Sequence, residues 1–229
     1  MTAYKEYTNE IFLFRLKDFY SAITHLIGFA LAIIGMPILL CKVGISSGKI
    51  TDLIACSIFS FSTILLYGAS SAYHSFNISK RVNDILKKID HMSIYILIAG
   101  TYTPICIIAL SEHHGLILLL VIWILALLGI IFKYFFVYCP KWVSSVLYIA
   151  MGWACVGAVP YLLETLTIPG FIWLLVGGIF YTVGAIIYAK KSDKELFKGF
   201  GNHEVFHCFV LLGTFCHYIV IFNYLPFIS

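Results

Sequence analysis

The chain has 229 residues, of which 61% are hydrophobic and 11% charged, and its mean hydropathy is +0.97. Soluble domains contain roughly 45–50% apolar and about 25% charged residues, so these charges are too few to cover the surface of a soluble protein of this length. The net charge of +4 is small and forms no concentrated basic patch, which excludes the nucleic-acid-binding classes.

Seven apolar stretches meet the length needed to cross a bilayer, which is about 20 residues of helix. In order they are approximately Phe19–Leu40, Thr51–Tyr73, Asp90–Leu110, Gly115–Tyr138, Val143–Leu163, Pro169–Lys190 and His203–Tyr224. The connections between them are short, which favours a compact bundle of antiparallel neighbours. The sequence therefore predicts an all-α integral membrane protein, with a short N-terminal segment over 1–18 and a seven-helix transmembrane domain over 19–229.

Three local features complete this predicted organisation. Residues 11–17 mix large apolar and basic side chains and are predicted to lie in the membrane interface as a short amphipathic helix. Pro104 falls inside the third span and predicts a kink, because proline removes a backbone hydrogen bond that neighbours must repair in lipid. The seven cysteines include no Cys-x-x-Cys pair and lie mostly in apolar runs, so they are predicted to be free thiols.

The basic residues predict which membrane face is cytoplasmic. If the N-terminus is inside, all of the 15 Lys and Arg residues except Lys42 and Lys49 fall in cytoplasmic segments. Cytoplasmic loops carry an excess of Lys and Arg, so this distribution selects a cytoplasmic N-terminus and a C-terminus outside. The chain is accordingly predicted to be a multi-pass protein of the plasma membrane.

Polar and ionisable residues at the ends of spans are the candidates for chemistry, because they are costly in a membrane. Ser70 and His74 close the second span with i, i+4 spacing, so they share one helix face. Asp90 opens the third span. His203 and His207 open the seventh, with the same spacing, which lets two imidazoles bind one metal. In the predicted topology four of these side chains lie at a similar depth near the cytoplasmic face: His74, Asp90, His203 and His207.

Three neutral imidazoles favour Zn²⁺ and leave a fourth coordination position for water. Zinc can lower the pKa of that water to about 7, which gives hydroxide at neutral pH. Asp90 is then placed to orient or deprotonate the water, and Ser70 to hydrogen-bond a developing oxyanion. The pattern outlines a metal-assisted hydrolase with His74, His203 and His207 as zinc ligands.

Each of these residues also has a structural interpretation. The histidine pair can occur by chance, and His74 beside a polar loop can be an interfacial residue. Asp90 can cap the N-terminus of the third helix, and Ser70 can bond back to its own helix.

Three other ionisable residues are given structural roles only. His217 lies ten residues beyond the histidine pair, about 15 Å deeper, so it is predicted to bond across helices rather than share the metal. His25, a short way into the first span, has the same interpretation. Glu204, between the paired histidines, is predicted to point to water or to cap the helix.

Five motifs follow one another in order along the chain. They are Ser21-Ala22-Ile23-Thr24-His25, Ser70-xxx-His74, Asp90, the segment Ala99-Gly100-Thr101-Tyr102-Thr103-Pro104, and His203-xxx-His207 with His217 beyond. With this set, essentially the whole membrane region resembles the hemolysin III proteins of bacteria, within the wider progestin and adipoQ receptor group. The resemblance implies zinc held by the three histidines near the cytoplasmic face, with Asp90 contacting the zinc-bound water and Ser70 beside the site. It also implies a link to hydrolysis of ceramide-type amides, as in the eukaryotic relatives.

The leading interpretation is a zinc-dependent membrane hydrolase that acts on a lipid-like amide or ester at the cytoplasmic leaflet. The alternative is a non-enzymatic protein in which the metal fixes or senses the bundle and the protein regulates membrane properties. A transporter ranks lower, because transporters usually place ionisable groups near the midplane, and a cytolysin ranks lower, because few residues lie outside the spans. The expected partners are the lipid bilayer and a lipid substrate, with no nucleic acid.

Overall fold

The computed structural model describes residues 16–190 and 195–225, and within these ranges the backbone is helical apart from short connections. The α-helices are α1 (Phe19–Ser46), α2 (Ile50–Ser75), α3 (Lys80–Pro104), α4 (Gly115–Phe135), α5 (Lys141–Gly152), α6 (Val159–Thr165), α7 (Ile168–Ala189) and α8 (Asn202–Asn223). A π-helical turn, Ile105–Ala109, continues α3, and a 3-10 segment, Trp153–Ala158, joins α5 to α6.

Seven helical segments in the described ranges are long and apolar enough to cross a membrane. The third consists of α3 with its π turn, and the fifth consists of α5, the 3-10 segment and α6. The predicted all-α bundle of seven transmembrane helices is therefore confirmed, whereas the cytoplasmic position of the N-terminus stays a prediction. The predicted interfacial helix over 11–17 lies almost wholly outside the described residues.

The third span begins earlier than the apolar pattern predicts. α3 starts at Lys80, and the Ser79 hydroxyl caps it by accepting a hydrogen bond from the Val82 backbone N–H at 3.3 Å. The interpretation of Asp90 as an N-cap is therefore wrong, since Asp90 lies almost three turns inside the helix. The first turns of α3 are basic, so hydropathy does not identify them as part of the span. Two of their ammonium groups pack on aromatic rings: Lys87 lies over Tyr138 at 4.0 Å and Lys88 over Tyr134 at 4.6 Å.

Pro104 changes the hydrogen-bonding pattern of the third span. It ends α3, and the next five residues, Ile105–Ala109, adopt the wider π-helical turn. Proline has no N–H to give the Gly100 carbonyl, so the regular ladder is interrupted at this point. The interrupted ladder at Pro104 takes the form of a π turn, whereas the predicted kink of the helix axis stays a prediction.

The helix order brings the candidate residues to one end of the bundle. Successive spans run antiparallel, so α1, α3, α5 and α8 begin at this end, while α2, α4 and α7 finish there. We call it the histidine end, because it carries His74, His203 and His207. α1 packs against both α2 and α8, and the Asp18 backbone N–H donates to the His74 carbonyl at 2.9 Å. This hydrogen bond joins the start of α1 to the end of α2.

Glycines allow the helices of the interior to approach closely, as is common where lipid supplies no hydrophobic driving force. At the crossing of α2 and α3, a Cβ on Gly100 would lie 2.2 Å from Ser62 Oγ and 2.6 Å from Ser62 Cβ. In contrast, a Cβ on Gly178 in α7 would meet nothing within 4 Å. Only the first glycine is needed for helix contact.

Lys133 is a buried cation inside the described bundle. It lies near the end of α4, is 1% exposed, and donates to Ser144 Oγ at 2.6 Å and to Cys139 Sγ at 3.3 Å. These bonds tie α4 to the start of α5. The cysteines of the described residues are all free thiols, as predicted.

We expect Gly100→Ala to lower the thermal stability of the detergent-solubilised protein and Gly178→Ala to leave it close to wild type. The added methyl group at residue 100 has to push α2 away from α3, and overpacking of this kind costs about 1–3 kcal/mol. Thermal unfolding monitored by circular dichroism measures the difference. Equal melting temperatures for the two variants would contradict the assigned α2–α3 crossing.

Candidate metal centre

Three imidazoles converge at the histidine end. His74 lies in the last turn of α2, and His203 and His207 lie in the first two turns of α8. One ring nitrogen from each lies within 4.8 Å of the others, and His74 Nε2 is 3.1 Å from His203 Nε2. His74 and His207 are buried, and His203 is partly buried. The sequence predicted a shared depth, and the structure adds the lateral closeness.

The orientation of α8 is set by its first turn. The Gly201 backbone N–H donates to Glu204 Oε2 at 2.8 Å, and the Ser21 hydroxyl donates to Glu204 Oε1. Glu204 therefore caps α8, as predicted, and also joins it to α1. This second bond limits rotation of α8 about its axis, which keeps His203 and His207 directed at α2.

A carboxylate holds the outer nitrogen of His74. His74 Nδ1 lies 2.9 Å from Asp18 Oδ2. Chiefly through this hydrogen bond, the pKa of the Asp18 carboxyl lies below its usual value. Asp18 is therefore ionised at neutral pH and can only accept, so Nδ1 carries the proton and Nε2 presents its lone pair towards His203. A carboxylate behind an imidazole is a common second partner in metal sites, where it fixes the ring and raises its basicity.

Thr24 fixes the tautomer of His207 in a similar way. Thr24 Oγ1 lies 3.2 Å from His207 Nδ1, and also 2.9 Å from the Tyr20 carbonyl oxygen and 3.0 Å from the Ser21 carbonyl oxygen. A carbonyl oxygen can only accept, so the hydroxyl proton goes to one of these carbonyls and the hydroxyl oxygen accepts from His207 Nδ1–H. His207 Nε2 is left with a free lone pair.

His25 packs directly on this cluster. Its ring stacks on that of His207, with centroids 3.6 Å apart and planes 8° from parallel. It is 3% exposed, and neither ring nitrogen has a hydrogen-bond partner among the described residues. The predicted hydrogen bond across helices is therefore wrong for His25, because its contact with α8 is made by the ring face.

His217 does form the predicted bond across helices. Its Nε2 lies 3.2 Å from the Leu174 carbonyl oxygen of α7, a bond in which the imidazole N–H donates. The close approach depends on Gly177, since a Cβ there would lie 2.4 Å from His217 Cδ2. His217 is thus bound to α7, away from the three converging imidazoles.

Asp90 opens onto a cavity that it shares with part of the cluster. The cavity has a volume of about 170 Å³, and its lining includes Asp90, His25, His203 and His207 at the histidine end. Asp90 is 6% exposed, and its Oδ2 lies 3.3 Å from His91 Nδ1. A negative carboxylate in an apolar cavity requires such a partner.

The cavity continues from the histidine end deep into the bundle. Its lining reaches Ile105 on α3, fifteen residues beyond Asp90, which corresponds to about 22 Å of helix. Between these points the walls are mostly apolar side chains such as Leu97 and Ile98, with Leu162 and Phe171 near the far end. We call this cavity the apolar channel, because its lining is mostly apolar and Asp90 and the histidines line one end of it.

Ser70 lies one turn before His74 on α2 and is completely buried. Its hydroxyl has no hydrogen-bond partner among the described residues, so the alternative interpretation of a bond back to its own helix is wrong. Ser70 is also absent from the cavity lining, as is His74. This hydroxyl is therefore buried in the bundle outside the cavity wall.

Two residues that hold the histidines were given no role in the site from the sequence. Asp18 and Thr24 supply the hydrogen bonds to His74 and His207, and both belong to the start of α1. Asp18, Ser21 and His25 follow at i, i+3 and i+7, which is the spacing of one helix face. A polar stripe of this kind on an otherwise apolar span is the signal that could have identified α1 as part of the site.

The donor set fits zinc. Zn–N bonds of about 2.0–2.1 Å at tetrahedral angles separate the ligand nitrogens by about 3.3–3.4 Å. The 3.1 Å between His74 Nε2 and His203 Nε2 is close to that value. The ligand nitrogens of all three histidines lie within 4.8 Å of one another, so small side-chain rotations would bring them to the separation that zinc needs. Neutral imidazoles with outward N–H groups bound elsewhere are the form in which histidine binds metal.

Comparison with known proteins places this architecture in a family. A family model described as haemolysin-III related matches residues 15–218. The chain belongs to the haemolysin-III-related family. It is 39% identical over 216 residues to the "Hemolysin-3 homolog" of Bacillus subtilis (strain 168), covering 93% of this chain and 98% of that protein. It is 41% identical over 211 residues to "Hemolysin-3" of Bacillus cereus, covering 92% and 93%.

A weaker similarity reaches the eukaryotic group. This haemolysin-III family member is 25% identical over 181 residues to "Progestin and adipoQ receptor-like protein 1" of Caenorhabditis elegans, covering 71% of this chain and 41% of that protein. The resemblance drawn from the motifs is therefore confirmed. Together with the seven spans, it identifies the chain as a multi-pass protein of the cell membrane.

Proposed function

We propose that this haemolysin-III family member binds zinc through His74, His203 and His207 and hydrolyses a lipid-like amide or ester. The observation that carries the proposal is the convergence of three imidazole nitrogens within 4.8 Å of one another, beside the polar end of an apolar cavity. Asp18 and Thr24 support it, because each accepts a hydrogen bond from the Nδ1–H of an imidazole and so turns the Nε2 lone pair of that ring inward.

Asp90 and Ser70 have separate roles in the proposed reaction. When bound, zinc supplies Lewis acidity, which polarises a carbonyl and acidifies water. Asp90 opens onto the same cavity as His203 and His207, so its carboxylate is available to accept a proton and to orient a nucleophile there. Ser70 offers a buried hydroxyl without a partner one turn from His74, and we assign it the stabilisation of negative charge, which requires reorientation towards the cavity.

The cavity supports a lipid as the substrate. Its lining residues extend along about 22 Å of α3, more than half of the roughly 30 Å hydrocarbon core, and are mostly apolar, which favours an acyl chain as the occupant. A chain in this channel would have its polar end at Asp90 and the histidines. An amide or ester at that end would lie where the general base and the metal ligands meet.

One observation favours the non-enzymatic alternative. The histidine cluster joins α2 to α8, and its hydrogen bonds reach α1 through Asp18 and Thr24. Metal bound there would fasten three helices at one end of the bundle, as a structural site does. In that case the protein would regulate membrane properties, and Asp90 would have no chemical role.

Metal content tests the first step of the proposal. We expect purified wild-type protein to contain close to one zinc per chain by elemental analysis and His203→Ala to lose most of it, since two remaining imidazoles bind zinc far more weakly. His113→Ala is the matched control, because His113 lies in the connection before α4, outside the cluster. Equal zinc in all three proteins would remove His203 from the ligand set.

The supporting role of α1 is tested by metal affinity. We expect Asp18→Asn and Thr24→Val each to weaken zinc binding about 10–100-fold, the usual effect of removing the group behind a ligand imidazole. Competition with a chromophoric chelator measures the affinity in detergent. Thr51→Val, at the opposite end of the bundle, should leave it unchanged. Wild-type affinity in both α1 variants would contradict the tautomer assignment.

Asp90→Asn separates the enzyme from the structural alternative. We expect this variant to keep its zinc and to lose about 10²–10⁴-fold in turnover of a fluorogenic lipid amide or ester, since asparagine cannot accept the proton. Asp84→Asn, on the same helix but outside the cavity lining, is the control. Wild-type protein with full zinc that cleaves nothing in a broad panel of lipid amides and esters would refute the hydrolase.

A further inference from the structure

We propose that the lipid entering this cavity carries an anionic headgroup, and that Lys17 and Lys141 bind it at the histidine end. The inference rests on the proposed function, because it assumes that the cavity binds a lipid. It adds that the headgroup of this lipid is negatively charged. Two ammonium groups, each on the face of a tyrosine next to a histidine of the cluster, carry it.

Lys17 stands on one side of the cluster. Its Nζ lies 3.7 Å from the centroid of the Tyr73 ring and donates to the Tyr73 carbonyl oxygen at 3.5 Å. Tyr73 immediately precedes His74, and the two rings are in edge contact at 4.7 Å. The nearby Asp18 carboxylate lies 3.7 Å from Lys17 Nζ, but it is already bound to His74 at 2.9 Å. Lys17 is therefore held beside the site and retains capacity for an anion.

Lys141 stands on another side, at the first residue of α5. Its Nζ lies 4.9 Å from the centroid of the Tyr188 ring. Tyr188 lines the cavity, and its ring lies 5.7 Å from that of His203. Among the described residues, no carboxylate lies within 4.0 Å of this ammonium group, and Lys141 is exposed. Its charge is free to meet a ligand beside Tyr188 and His203.

Other acidic groups at this end are already engaged. Glu204 accepts from Ser21 and from the Gly201 backbone, and Asp90 is paired with His91. A ligand phosphate or carboxylate would therefore find two ammonium donors with little local competition. A divalent cation on the histidines would add to the attraction.

This arrangement differs from the general excess of lysine at one membrane face. Lys88 also lies over a tyrosine, Tyr134, at 4.6 Å. Tyr134 is near the end of α4 and its recorded ring contact is with Phe135, whereas Tyr73 and Tyr188 contact the rings of His74 and His203. Diffuse surface charge would attract anionic lipid through Lys88 as well as through Lys17 and Lys141, whereas a headgroup site would depend on the latter two alone. Lys88 is thus the matched control.

The test measures binding of brominated lipids by quenching of tryptophan fluorescence. The full chain is placed in phosphatidylcholine nanodiscs that contain either brominated phosphatidylglycerol or brominated phosphatidylcholine. Trp142 is adjacent to Lys141 and 60% exposed, so it reports on this region, and Trp142→Phe identifies its share of the signal. The ratio of the two quenching curves gives the preference for the anionic headgroup in the wild type, which needs no variant to fold.

We expect the wild type to prefer phosphatidylglycerol on the order of 20-fold, and Lys17→Gln and Lys141→Gln each to reduce the preference about five-fold, as expected for one surface lysine. Lys88→Gln should keep it within about two-fold. Absence of a preference in the wild type, or an equal reduction in Lys88→Gln, would overturn the proposal. Loss of quenching on adding inorganic phosphate at constant ionic strength would assign the site to a free anion and overturn the lipid assignment.

Binding is read without any turnover, so the two proposals fail separately. A protein that shows the preference but cleaves no lipid refutes the hydrolase and keeps the headgroup site. A protein that cleaves neutral lipid amides or esters and shows no preference refutes the headgroup site and keeps the hydrolase.

Discussion

The hydrogen bonds that Asp18 and Thr24, at the start of α1, accept from the outer nitrogens of His74 and His207 are the constraint on which the site depends. His74 and His207 come from two different helices, α2 and α8, and each ring could rotate or present the wrong nitrogen. Asp18 and Thr24 remove both freedoms, since each accepts from an Nδ1–H and leaves Nε2 directed inward. The lone pairs are thus oriented by a helix that contributes none of the three imidazoles.

Much of the fold follows from the sequence because the bilayer limits what a chain can do. Each span has to satisfy its backbone internally, so length and hydropathy alone predict seven helices. The same reasoning misplaces the start of α3 by ten residues, at Asp90 instead of Lys80. A basic helical turn that lies on tyrosine rings outside the hydrocarbon has no apolar signal, although it is as helical as the rest.

The site was predictable in depth and not in its lateral contacts. Antiparallel spans put His74, His203 and His207 at one end, because depth depends only on position within each helix. Which helices touch depends on close packing, such as that at Gly100 and Gly177, which hydropathy does not encode. The partners on α1 went unrecognised for a related reason. An aspartate before a helix and a threonine within it commonly cap the helix or bond to its backbone, and only the position of the neighbouring helix shows that they also bond to a histidine.

The distribution of polarity along the bundle argues for a function that involves lipid. An apolar channel inside a protein already surrounded by hydrocarbon gives no advantage for folding, since the same surface could have been closed by larger side chains. Keeping it open costs stability through lost packing, and the buried Ser70 hydroxyl adds the cost of one polar group without a partner among the described residues. Proteins retain such destabilising features mainly at functional sites. The proposed binding of a lipid at the histidine end would account for both the open channel and the buried Ser70 hydroxyl.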